Sequence, residues 1–137
     1  MTLFLLHFAF ILKEYKNEQN NKKIQELYDF NFRQLELSIR EIGYGDQSIN
    51  KKMKIYINLF HTIIDNIHFW DTLEKPEKIE KLSIFLEEFD KIEDLVVYFE
   101  DFRIKLSKIN LNLLLKGVSN FKLWLFQNAN KLHQELE

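Results

Sequence analysis

Apolar positions in this chain recur at spacings of three and four residues rather than two, the signature of helices with one buried face. The first run, Leu3 to Leu12 (LFLLHFAFIL), is apolar all round except for His7. A helix of ten residues spans about 15 Å, half of a bilayer's hydrocarbon core, so the run does not cross a membrane. It lacks the preceding positive charges and small-residue cleavage site of a secretory signal, and the Arg-rich, acid-poor character of a mitochondrial presequence. It reads as a buried helix covering 2 to 18, with a partner-binding or membrane-surface helix as the competing placement. The polar stretch Asn17 to Asn21 ends it, because asparagines compete for backbone hydrogen bonds.

Between 24 and 42, Tyr28, Phe32, Leu35, Ile39 and Ile42 define one face of a second helix, which Gly43 stops. Ser48 is placed to cap a third helix, whose stripe Ile49, Met53, Tyr56, Phe60, Ile63, Ile67 and Trp70 is the clearest in the chain. Pro76 suits the first turn of a fourth segment striped by Leu82, Phe85, Phe89, Ile92, Val96 and Phe99. Asp90 with Glu93 resembles a capping box and predicts a break there, giving helices over 76–89 and 91–108. Gly117 and Ser119 mark a last boundary before the amphipathic stretch of Phe121, Trp124, Leu125, Leu132 and Leu136. Short links between amphipathic helices favour antiparallel neighbours, so the expected architecture is a single all-α domain, a compact bundle of five to six helices over 1–137.

Composition sharpens this picture. Three glycines and one proline in 137 residues are too few for a sandwich or barrel. The absence of cysteine removes disulfides, zinc–thiolate sites and thiol chemistry. A formal net charge of −2 argues against a generally basic nucleic-acid binder, so DNA is not an expected partner. Nine acids and three lysines between Glu77 and Asp101 read as a solvated face. Of the four histidines, only His61, with Asp65 and His68, has a metal-like spacing; a di-iron bundle requires two carboxylate-x-x-His pairs facing inward, whereas this is one pair on an outer face. No nucleophile elbow, phosphate loop or dinucleotide fingerprint is present. The sequence therefore predicts no catalytic residue, metal or cofactor.

The constellation that stands out is Ile39 to Lys54 (IREIGYGDQSINKKMK), which holds two of the three glycines. Gly43 or Gly45 is expected at positive φ, closing one helix and reversing the chain before the next. Arg40 near a helix C-terminus and Asp46 near an N-terminus suit the helix dipole. Lys51, Lys52 and Lys54, with no acid between Asn50 and Thr62, do not. Two readings follow. Either these lysines form an anion-binding surface suited to phosphates of RNA or lipid, or to an acidic partner, or Glu41 and Asp46 neutralise them.

At these residues the sequence resembles the ubiquinol-cytochrome c chaperone family of mitochondria and proteobacteria, whose hallmark reads approximately L-R-E-M-G-V-G-D followed by a basic helix start. Arg40, Glu41, Gly43, Gly45 and Asp46 match, Ile39, Ile42 and Tyr44 replace Leu, Met and Val, and Lys51, Lys52 and Met53 continue the pattern. Leu6-His7 followed by Lys13 is similar to the family's Leu-His helix with its basic end. The likeness runs from about 3 to 60. Phe60-His61-Thr62 stands where relatives usually carry Tyr-Gly-Arg, no landmark follows Trp70, and the chain starts later than is usual in the family, as though an N-terminal extension were missing.

The resemblance implies a non-enzymatic assembly chaperone for cytochrome b in biogenesis of the bc1 complex (complex III). It implies nascent or unassembled cytochrome b as client, with the ribosome or an anionic inner-membrane surface, and a small protein partner or a second copy, as further contacts. Its location would be the bacterial cytoplasm peripheral to the inner membrane, or the mitochondrial matrix side in a eukaryote. Leu3, Leu6, His7 and Phe10 would then belong to a client or partner helix, and Arg40 to Lys54 to a binding turn and basic patch. A generic helical adaptor or homodimer with a purely structural glycine turn is the alternative.

Overall fold

In the computed structural model, which describes residues 2–117, six α-helices follow one another and no strand occurs among the described residues. They are α1 (Thr2–Tyr15), α2 (Asn21–Ile42), α3 (Asp46–Ile67), α4 (Lys75–Ser83), α5 (Ile92–Ser107) and α6 (Leu111–Gly117), with a 3-10 turn at Trp70–Thr72. The stretch from Phe121 to Leu136 lies outside the described residues.

Helix α1 runs through the middle of the bundle, packed against α3 and α5; α2 lies on α3, and α4 on α5. Every residue from Leu3 to Ile11 is buried, so the apolar run is neither a membrane segment nor a surface helix here. No described helix is long and apolar enough to cross a membrane. Phe8 stacks on Phe60 of α3 (5.1 Å between ring centroids), and Phe10 stacks on Phe99 of α5 (5.0 Å) while meeting Trp70 edge-on (5.1 Å). Aromatic rings from opposite faces of α1 thus tie both halves of the molecule to it. Such offset and edge-on pairs add to the burial of large apolar surfaces that dominates core energetics.

The third-helix stripe is borne out, with Ile49, Phe60, Ile63, Ile67 and Trp70 buried. Several boundaries differ from the sequence reading. Helix α1 stops at Tyr15 rather than 18, because Asn20 turns its amide onto the Tyr15 carbonyl (2.9 Å) and α2 begins at once, three residues earlier than the apolar stripe implied. Ile42 is 72% exposed, lying beyond the part of α2 that faces its neighbours. Ser48 is not the cap of α3: Gly45, extended at φ −74°, ψ 164°, occupies that position, and the helix starts at Asp46.

A break does separate α4 from α5, yet it spans residues 84–91 and α4 ends at Ser83 instead of 89. The Ser83 hydroxyl donates to the Ile79 carbonyl (2.7 Å), the local competition that weakens helix ends, and Leu86 and Phe89 are buried from within the irregular link. The Asp90–Glu93 capping box does not form; Lys91 precedes α5 without any side-chain cap.

Candidate functional site: the turn between the second and third helices

Gly43 adopts φ 103°, ψ 15° and donates its amide to the Arg40 carbonyl (2.9 Å), ending α2 in the left-handed geometry that side chains with a Cβ resist. No other residue among those described has positive φ. Two residues on, Gly45 is extended and α3 begins, so three residues reverse the chain. Arg40 closes the turn from outside, donating to Asp46 Oδ1 (2.7 Å) and to Glu36 Oε1 (3.1 Å). These carboxylates, through their hydrogen bonds to it, raise the guanidinium's already high pKa. All three groups are well exposed, so the clasp orients the turn more than it stabilises it.

That pairing takes the Asp46 carboxylate away from the lysines. Asp46 is committed to Arg40, and Glu41 forms no ion pair among the described residues. Lys51 and Lys54 are exposed, also without a carboxylate partner among the described residues. Lys52 is half-buried, its ammonium 4.5 Å from the centre of the Tyr44 ring in a cation–π contact. The matched residues Arg40, Glu41, Gly43, Gly45 and Asp46 are therefore brought together with the three lysines at one end of the α2–α3 hairpin. The sequence reading missed the apolar character of this end: Ile42 and Tyr44 are exposed at the turn, and Ile55 is exposed one helical turn beyond Lys51. Ile42 continues the spacing of the core stripe, and no periodicity separates an outward isoleucine from an inward one at a helix end.

The other nominated residues lie elsewhere. Leu3, Leu6, His7 and Phe10 are buried against α3 and α5 and offer no surface to a client or partner in this conformation. His7 is fixed at both ring nitrogens, Nδ1–H donating to the Leu3 carbonyl (2.6 Å) and Nε2 accepting from the Tyr98 hydroxyl (2.7 Å). Burial, only partly opposed by the Leu3 hydrogen bond, lowers its pKa to about 4, so the ring is neutral near pH 7. His61, Asp65 and His68 are all exposed; His61 sits 3.4 Å from the Tyr28 hydroxyl. No cluster of three or more metal-ligating side chains exists among the described residues.

A family model described as Ubiquinol-cytochrome C chaperone matches residues 1–66. This is the family recognised from the glycine turn and the Leu6-His7 helix, and the match takes in α1, α2 and all of α3 except its last residue. Helices α4 to α6 lie beyond it. No curated protein and no solved structure matches the chain significantly.

Proposed function

We propose that this protein is a non-enzymatic assembly chaperone in the biogenesis of ubiquinol-cytochrome c reductase, with cytochrome b as its client. The observation that carries the reading is the family match over residues 1–66, which contains both the Leu6-His7 helix and the whole glycine–lysine turn. The turn supports a docking role: it exposes ammonium groups that have no carboxylate partner among the described residues, next to apolar side chains. Arg40, Glu41, Gly43, Gly45 and Asp46 shape that surface, while Lys51, Lys52 and Lys54 give it charge that attracts phosphate-bearing surfaces. Client contact through Leu3, Leu6, His7 and Phe10 requires α1 to leave its place between α3 and α5, so that route is an opened form of the protein. Such a protein would work beside the inner membrane, on its cytoplasmic or matrix side.

The test is capture of detergent-solubilised, unassembled cytochrome b by the purified, immobilised chain. Recovery of cytochrome b, and its loss on competition with free chaperone, supports the reading. Failure to retain it leaves a generic helical adaptor or homodimer as the better description.

A further inference from the structure

The end of the α2–α3 hairpin combines two kinds of surface that only some partners use together. Residues 40–54 carry four basic and two acidic side chains within a chain that is net acidic, and one of those acids, Asp46, is held by Arg40. Among them Ile42 is 72% exposed, Ile55 55% and Tyr44 43%. Lys51 and Ile55 are one helical turn apart on the outer face of α3, and Lys52 is drawn across the Tyr44 ring. RNA would be met by cations and by aromatic planes, and it offers nothing to two isoleucines. An acidic protein partner would use the same groups only if it carried a matching apolar patch, whereas a lipid surface uses all of them without a complementary shape. Aliphatic side chains enter the headgroup–acyl boundary, a tyrosine sits at the interface, and ammonium groups meet lipid phosphates.

We infer that the α2–α3 hairpin end docks on an anionic lipid bilayer, with Ile42, Tyr44 and Ile55 entering the interface and Lys51, Lys52 and Lys54 resting on the headgroups. The inference rests on the docking role assigned above to the lysines and names its partner. Neither set of groups suffices alone: a few interfacial side chains bind weakly without charge, and exposed lysines without apolar contact are readily screened.

The experiment is co-sedimentation of the full chain with vesicles of phosphatidylglycerol and phosphatidylcholine, and with phosphatidylcholine alone. Binding is expected only to the former. Lys51→Gln/Lys52→Gln/Lys54→Gln should weaken it on the order of 100-fold at low salt, and Ile42→Ser/Ile55→Ser roughly tenfold or more. All five positions lie outside the fully buried core, and circular dichroism of each variant checks that helicity is kept. Because the chain has no cysteine, Ile42→Cys accepts a single environment-sensitive fluorophore, whose emission should shift to the blue on vesicle binding. Unchanged affinity in the isoleucine variant, or no spectral shift, overturns insertion. Lysine-dependent binding to ribosomes without binding to vesicles overturns the lipid partner while leaving the assembly role standing. Vesicle binding as described, with no capture of cytochrome b, leaves this surface intact and removes the proposed client.

Discussion

The Tyr98 hydroxyl donates to His7 Nε2 at 2.7 Å, joining the middle of α1 to α5 by a hydrogen bond between side chains 91 residues apart. Phe99 and Phe102 close edge-on around the same imidazole, each 5.1 Å away, so the single polar side chain of the apolar run sits satisfied in an aromatic cage. With Nδ1–H given to Leu3, the ring needs a donor at Nε2 and Tyr98 supplies it.

Acid should therefore weaken the fold through this residue. The folded imidazole titrates at about 4 against an ordinary 6.5, so the unfolded chain takes up the proton first. Stability is fully present above 6.5, declines as pH falls below it, and stops declining on this account once pH is below 4. The expected loss is on the order of 3 kcal/mol. Urea unfolding at several pH values between 7 and 5 measures the slope, and His7→Gln should flatten it; an equal slope in that variant would assign the acid sensitivity to other groups.

Replacing Tyr98 by Phe leaves Nε2 buried without its donor, an omission that costs about 1–3 kcal/mol. Denaturant midpoints should show this loss with little change in far-ultraviolet circular dichroism, since the ring itself remains.

The two glycines of the turn should respond differently. At Gly43, φ 103° makes Gly43→Ala strained even though an added Cβ would meet nothing within 4 Å, and about 1–2 kcal/mol should be lost. Gly45 has φ −74° and open space but caps α3, so the gain of about 0.4–1 kcal/mol from restricting the unfolded chain is offset by the poorer cap, and Gly45→Ala should be close to neutral. Thermal melts of the two single variants separate them. Equal losses at both would mean that Gly45 carries a contact beyond its backbone.

Phe8 is fully buried, stacked on Phe60 and 6.5 Å from the Phe32 ring. Phe8→Ala should cost about 3–5 kcal/mol, comparable with the whole stability of many domains of this size. Calorimetry should find little or no cooperative transition in the variant, whereas the more conservative Phe8→Leu should retain one at lower temperature.

Helix identity and the main core stripe were legible because they depend on spacing, as Ile49, Phe60, Ile63 and Ile67 illustrate. The left-handed Gly43 was legible for a local reason, since few residues other than glycine end a helix that way. What sequence could not supply were relations across the chain. Nothing near His7 announces Tyr98, and nothing near Asp46 says that Arg40, rather than a lysine, takes its carboxylate. The α4–α5 break went wrong in extent for the same reason: the burial of Leu86 and Phe89, not a cap, sets where α4 ends.

The central position of α1 also orders events in time. Its fourteen residues are made well ahead of their partners: the Tyr15 hydroxyl is shared between the carbonyls of Leu106 and Ile109, and His7 waits for Tyr98. At translation rates of about 5–20 residues per second, roughly 5–20 s pass before the partners from α5 emerge. During that interval an apolar helix has nothing of its own chain to cover its α5 side, and long-range closure must come last. The folding of α1 is thereby tied to the completion of α5.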